Sequence, residues 1–207
     1  MRLGGLLHAV DSSAAEARAL EAARRGDVAG FNQLVLAYQT VVYSVALRML
    51  GNTDDAADAT QETFVSAFRA IRDFRGGSFK AWLLRIAANA CYDILRRRQR
   101  RPASSLDALI DEAGLDVGEP DEDRGPEGTA LSSETARAIQ AGLATLPEDQ
   151  RMLVLLCDVQ GLSYEEAADA TGAALGTVKS RLSRARARLR DYLGERGELP
   201  SDSGRHH

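Results

Sequence analysis

The stretch Gly161-Leu-Ser163-Tyr-Glu-Glu166-Ala-Ala-Asp-Ala-Thr171-Gly172-Ala-Ala-Leu-Gly176-Thr177-Val-Lys-Ser-Arg181-Leu182 decides the fold. Ser163 and Glu166 have the spacing of a capping box, in which the hydroxyl caps the helix and the carboxylate reaches back. A short helix is therefore expected over Tyr164–Ala170, ending at Thr171-Gly172. Ala173–Gly176 make a turn, and Thr177 is placed to cap a second helix running to about Tyr192. Helix, glycine-bearing turn, helix is the arrangement whose second helix enters the major groove of DNA.

At ~100° per residue the second helix sorts into faces. Val178, Leu182, Ala185 and Leu189 align as the buried one, and Ser180, Ser183 and Arg184 lie opposite. Lys179, Arg186 and Arg190 flank that outer face on one side, Arg181 and Arg188 on the other. Side chains able to read base edges thus stand between cations able to neutralise phosphates. A solvated or membrane-facing basic helix has the same charge. Six cations without one acid over residues 176–190, directly after a capped helix and turn, fit DNA better.

Outward from this motif, the charge of the chain is sorted into blocks. The net charge is −4, yet residues 85–101 hold six arginines against one aspartate, and residues 102–130 hold nine acids against one arginine. Two cationic blocks separated by an acidic strip point to nucleic acid. Residues 102–130, rich in proline, four glycines and acids, have the composition of a flexible tether, with at most a helical turn at Leu106–Ile110. The fold expected is all-α: two small helical domains joined by a flexible acidic linker. The segments are 1–26 (extension with a short helix over Ser13–Arg25), 27–101, 102–130, 131–193 and a tail over 194–207.

Within 27–101, Phe31, Leu34, Tyr38, Val41 and Val45 mark one buried helical face that stops near Gly51. Asn52 or Thr53 caps the next helix, whose apolar stripe is Phe64, Phe68 and Ile71. Opposite that stripe stand Asp58 and Glu62, with Gln61 at the edge. A carboxylate face repels phosphates and suits a protein partner. A long helix begins at Phe79 with Phe79, Leu83, Ile86, Ala90 and Ile94 toward the core. Arg85, Asn89, Tyr92 and Arg96 share another face beside Trp82 and Arg100, a mixture of groups that bind phosphates, base edges and unpaired bases. In the second half, Ile139, Leu143 and Leu146 make a stripe, Pro147 suits a first helical position, and Met152–Cys157 is apolar all round.

Other classes are poorly supported. Cys91 and Cys157 lie apart, with no CxxC or Cys/His cluster, so neither a disulfide scaffold nor a metal site is expected. There is no phosphate-binding glycine loop and no nucleophile with a base, so no enzyme and no cofactor are expected. Val28–Leu47 is free of charge but carries Asn32, Gln33, Gln39, Thr40 and Ser44, and Leu3–Val10 fails as a secretory signal. No membrane insertion and a cytoplasmic location follow as expectations.

Asp58-Ala-Thr-Gln61-Glu62-Thr-Phe64 and Phe79-Lys-Ala-Trp82-Leu-Leu-Arg-Ile-Ala-Ala-Asn89 resemble region 2 of bacterial sigma factors. Leu146-Pro-Glu-Asp-Gln150, Gly161-Leu-Ser-Tyr-Glu-Glu166 and Gly176-Thr-Val-Lys-Ser-Arg181-Leu resemble region 4. Both in this order, without an intervening folded region, resemble the extracytoplasmic-function (ECF, group IV) sigma factors of the sigma-70 family. The resemblance implies a factor that binds core RNA polymerase, directs it to −35 and −10 promoter elements and assists melting.

Asp58, Gln61 and Glu62 would then meet the β′ clamp helices, with the β flap as a second contact. Arg75, Ser78, Lys80, Trp82, Arg85, Asn89, Tyr92, Arg96 and Arg97 would serve the −10 element, duplex and melted strand. Thr177, Lys179, Ser180, Arg181, Ser183, Arg184, Arg186 and Arg188 would serve the −35 element. The resemblance also implies an anti-sigma factor as inhibitory partner. A stand-alone helix-turn-helix regulator is the alternative reading. One departure is the small Ala167, Ala170 and Thr171 where the family places large aliphatics, which implies a weaker isolated region 4.

Overall fold

The computed structural model describes residues 4–100 and 137–195, and every regular element among them is helical. Helix α1 spans Gly4–Arg24, beginning nine residues before its expected start at Ser13. Helix α2 spans Val28–Leu50, with Asp27 accepting from the Ala29 N–H at 2.8 Å. It stops where expected: Gly51 adopts φ 68°, a left-handed turn open to glycine, and its N–H returns to the Leu47 carbonyl. By length and composition α2 could cross a membrane, but its apolar face is packed in the core, with Phe31, Leu34 and Val45 buried and Tyr38 and Val41 half-buried.

The α1–α2 crossing is close because Gly30 lacks a side chain. A Cβ there would stand 2.9 Å from the Ala19 carbonyl oxygen and 2.6 Å from the Ala22 Cβ. Helix α3, Thr53–Ala70, is capped by Asn52, which accepts from the Asp55 N–H at 2.9 Å, and it ends in a 3-10 turn, Ile71–Asp73. Its buried face is not the one expected. Ala56, Ala59, Thr63 and Ala67 face inward, Phe64 is half-buried and Phe68 is 43% exposed. Small residues let α3 lie close on α2, and Phe68 is left at the margin, where it meets Phe31 edge-on at 5.0 Å.

Helix α4, Phe79–Arg100, starts with Ser78 accepting from the Ala81 N–H at 3.1 Å. The expected core positions hold, Ile86 being half-buried, but a second stripe, Leu84, Ala88, Cys91 and Leu95, is buried as well. The described C-terminal half comprises α5 (137–144), α6 (Glu148–Val154), a π turn (Leu155–Val159), α7 (Tyr164–Thr171) and α8 (Leu175–Glu195).

Several expectations for this half shift. Ala138, Leu143 and Leu146 are buried while Ile139 is 45% exposed. Pro147 is the N-cap of α6 rather than its first helical residue. The run Met152–Cys157 is not one α-helix but widens into the π turn at Leu155, leaving Cys157 half-buried. The α7 capping box forms, with Ser163 N–H on Glu166 at 2.8 Å and Glu166 N–H on Ser163 at 3.1 Å, and Gly172 closes it at φ 66°. Helix α8 begins at Leu175, two residues before Thr177, because the Ala174 carbonyl already accepts from the N–H groups of Thr177 and Val178. It also runs through Gly194 and Glu195, into the expected tail. The expected tether over 102–130, with its turn at Leu106–Ile110, lies outside the described residues.

The halves are packed on each other. One apolar cluster joins Val45 and Met49 of α2, Leu84, Cys91 and Leu95 of α4, and Leu143, Met152, Val178 and Leu182 of the second half. Burying a leucine in such a cluster contributes roughly 1.5–3 kcal/mol. Helix α7 lies along α4, and its Ala167 and Ala170 are buried in this cluster. The small residues that seemed a weakness of region 4 belong to a close helix-helix contact with region 2.

Candidate nucleic-acid and partner interfaces

Asp58, Gln61 and Glu62 are exposed on the outer face of α3, one turn apart. They line an open groove of about 670 Å³ between α3 and α4 whose other wall carries Asp93, Ile94, Arg97 and Arg100. Glu62 accepts from the Ser66 hydroxyl at 3.0 Å, and Asp58 and Gln61 face solvent. The groove offers carboxylates on one wall and guanidinium groups on the other. A protein partner with charges of both signs fits it, a polyanion alone does not. Arg97, assigned from the sequence to DNA, is thus brought beside the acidic trio, with its Nε donating to the Asp93 carbonyl at 3.3 Å.

The expected −10 residues gather on and before α4. Arg75 and Ser78 are exposed in the loop that leads into the helix, and Ser78 also caps it. Arg85, Asn89 and Arg96 are exposed along one side, Arg96 being paired with Asp93 at 2.5 Å. Trp82 is half-buried, its ring 5.4 Å from Phe74 and 5.5 Å from Phe79, so an edge rather than a whole face is left to a base. Two members of the set are turned toward the second half. Lys80 Nζ donates to the Gln160 carbonyl at 2.7 Å, and the Tyr92 phenol is held protonated up to about 12 by burial, with Asp149 adding and Arg181 opposing.

On α8 the outer face is as the helical wheel implied. Lys179, Ser180, Ser183, Arg184 and Arg188 are exposed, while Val178, Leu182 and Ala185 are buried and Leu189 half-buried. Arg184 bonds only along its own helix, to the Ser180 carbonyl at 3.2 Å and hydroxyl at 3.4 Å. Thr177 is half-buried at the start of the helix. The flanking arginines are not equivalent. Arg181 Nε lies 2.8 Å from Asp149, and Arg186 is bidentate to Asp158 at 3.0 and 2.5 Å and reaches the Tyr164 hydroxyl at 3.2 Å. The Asp158 bond raises the Arg186 pKa further, so this guanidinium joins the π turn, α7 and α8.

Sequence reasoning missed the residues that tie the halves together. Arg98 donates to the Leu50 carbonyl at 3.0 Å and pairs with Asp55. Gln140 donates to the Arg48 carbonyl at 3.3 Å, and Arg151 to the Met49 carbonyl at 2.8 Å. Three side chains from three elements thus satisfy the carbonyls that the end of α2 leaves open. The one available signal was Arg151 itself, a lone cation leading into the apolar run Met152–Leu156.

These surfaces occur together in known proteins. Residues 34–101 match the model of Sigma-70 region 2, and residues 136–189 match that of Sigma-70, region 4. The chain belongs to the ECF sigma factors of the sigma-70 family. It is 40% identical over 173 residues to the ECF RNA polymerase sigma factor SigE of Mycolicibacterium smegmatis, spanning 84% of this chain and 65% of that one. It is 41% identical over 169 residues to the ECF RNA polymerase sigma-E factor of Salmonella typhimurium, spanning 81% and 88%. Among solved structures it is similar to CnrH in complex with the cytosolic domain of CnrY, at a TM-score of 0.63 and 27% identity over 87% of this chain and 98% of that one. It is also similar to the sigma factor RpoE in complex with the anti-sigma factor NepR from Bartonella quintana, at 0.61 and 30% over 81% and 98%. As an ECF sigma factor, this protein is a transcription initiation factor.

Proposed function

We propose that this ECF sigma factor binds core RNA polymerase in the cytoplasm, brings it to −35 and −10 promoter elements and assists melting, without catalysing a reaction itself. Residues 27–101 form the polymerase- and −10-binding half, 131–193 the −35-binding half, 102–130 the linker between them, and 1–26 and 194–207 the flanking segments. Asp58, Gln61 and Glu62 meet the clamp helices of β′, and region 4 meets the β flap. Arg75, Ser78, Trp82, Arg85, Asn89, Arg96 and Arg97, with Lys80 and Tyr92, handle the −10 element. Lys179, Ser180, Ser183 and Arg184 read the −35 element, with Thr177 and Arg188 on its backbone and Arg181 and Arg186 placing the helix.

The observation that carries this reading is the coexistence, in one chain, of an exposed carboxylate face on α3 and an exposed serine-arginine face on α8. The first repels DNA and the second attracts it. A stand-alone regulator has use only for the second. The two solved relatives named above are each held by a partner protein, and NepR is an anti-sigma factor; a protein of that kind is the inhibitory partner proposed for this chain. The test is transcription of fragmented genomic DNA from the source bacterium by its core polymerase, with and without this protein. New transcripts with defined starts support the reading. Tight duplex binding by the free chain with no new transcripts overturns it in favour of the regulator.

A further inference from the structure

The contacts between the halves fall on the machinery just assigned. Along α4, Lys80, Leu84, Ala88, Cys91, Leu95 and Gln99 recur at spacings of three and four, one continuous face of the helix. Its apolar members are buried in the cluster shared with region 4, and its polar ends both reach across: Lys80 to the Gln160 carbonyl at 2.7 Å, Gln99 to Glu148 at 3.3 Å. Beside this face, Arg151 and Gln140 of region 4 bond to the last carbonyls of α2, the negative end of that helix. The α7 side of the contact is made small by Ala167 and Ala170, where the resemblance leads one to expect larger side chains.

A chain closed in this way cannot read both promoter elements. They are centred about 25 base pairs apart, roughly 85 Å of duplex at 3.4 Å per step. Helices α4 and α8, of 22 and 21 residues, are each only about 33 Å long, and they belong to halves in direct contact. Residues 101–136 reach on the order of 100 Å when extended, which is enough to join separated halves.

We propose that the free chain inhibits itself. Helix α7 docks on the −10 helix α4 and is latched by Lys80 on Gln160 and by Arg151 and Gln140 on the end of α2, so that the halves must separate before holoenzyme forms. The closed form covers Lys80 and Tyr92 but leaves the acidic groove and the outer face of α8 open. Closure therefore opposes use of the −10 helix and simultaneous engagement of both halves, not first contact with polymerase. The inference rests on the reading of the chain as a polymerase-bound factor, and it concerns regulation of the same surfaces.

The latch is loosened without touching the binding residues by the double substitution Gln99→Glu and Gln140→Glu. The first places like charge against Glu148, and the second places a carboxylate against the carbonyl end of α2. Energy transfer is measured between dyes at Arg69→Cys and Asp191→Cys, both exposed, in a Cys91→Ala, Cys157→Ala background. Affinity for the source bacterium's core polymerase is measured on the unlabelled natural chain and on Q99E/Q140E, which needs no cysteine background. Closure predicts high transfer in the free chain, a fall on adding core, low transfer in free Q99E/Q140E, and roughly five- to tenfold tighter core binding by Q99E/Q140E, because the penalty for opening is removed.

Low transfer in the free natural chain overturns the proposal. So does high transfer that persists on core or in free Q99E/Q140E, or equal core affinity of the two unlabelled proteins. If neither protein binds core at all, the reading of function fails instead, a result distinct from equal binding.

Discussion

Arg151 of α6 places its Nη1 2.8 Å from the carbonyl oxygen of Met49, in the last turn of α2 and 102 residues earlier in the chain. The same guanidinium donates to the carbonyls of Leu143 at 2.9 Å, and of Ala144 and Leu146 at 3.1 Å. One planar cation with five donors thus closes the carbonyl ends of α2 and α5 together. Burial lowers its pKa, so the four acceptors are what hold the charge there. Arg151→Met keeps the stem and leaves these carbonyls without their donor, and it is expected to cost about 3 kcal/mol in urea unfolding. Arg151→Lys should recover less than half, since an ammonium has three donors and no planar fork. Recovery by lysine equal to the natural chain would show that charge alone, not the fork, is what counts.

The acidic face of α3 separates binding from folding. Asp58 and Glu62 are exposed and make no contact with the apolar core, so Asp58→Ala with Glu62→Ala should change stability by less than about 0.5 kcal/mol. Affinity for core polymerase should nevertheless fall at least tenfold, about 1.4 kcal/mol. Circular dichroism on heating and competition against the natural chain for core give the two numbers. A matched loss of both would return these residues to a structural role.

Arg184 and Arg188 are both exposed on α8, but they stand at different angles to the groove-facing stripe. Arg184 has only Ser180 as a partner, and it shares that stripe with Ser180 and Ser183. Arg184→Ala in holoenzyme should cost about 1–3 kcal/mol at the cognate −35 element and relax the preference at one base position. Arg188→Ala should weaken all promoters alike and reduce the salt slope of binding by about 1. Titrations against a promoter and its single-base variants, at several salt concentrations, distinguish the two.

What the sequence made legible follows from locality. Caps at Asn52, Ser163 and Gly51 depend on residues within one turn, and all three were readable from neighbours alone. Helical spacing places Phe68 and Ile139 on apolar faces, yet both are largely exposed, because spacing tells which residues share a face and not what covers it. The second stripe of α4 has the same cause: its cover is α7, about seventy residues away. Arg181, Arg184 and Arg186 are indistinguishable in a charge count. Only the π turn, which carries Asp158 to Arg186, and the packing of α6 on α8, which brings Asp149 to Arg181, sort them.

Tyr92 gives the contact between the halves a pH dependence. Its phenol is pushed from an ordinary value of 10.0 up to about 12, first by burial and then by negative charge at Asp149, against which Arg181 acts. The folded chain therefore holds this proton more tightly than the unfolded chain does. Stability from this source is complete below pH 10 and is lost as pH rises through about 12. Two units correspond to roughly 2–3 kcal/mol. Cys91, pushed up to about 12, and Cys157, to about 11, are also shifted by burial and act in the same direction, so raw stability at high pH does not isolate the tyrosine. The natural chain and Tyr92→Phe share both thiols, and the difference between their unfolding free energies cancels them. That difference should move against the natural chain by about 2 kcal/mol between pH 9.5 and pH 12, measured by urea unfolding at each pH. A difference that stays flat over this range would mean that the phenol titrates in water, and that α4 and region 4 are not in contact there.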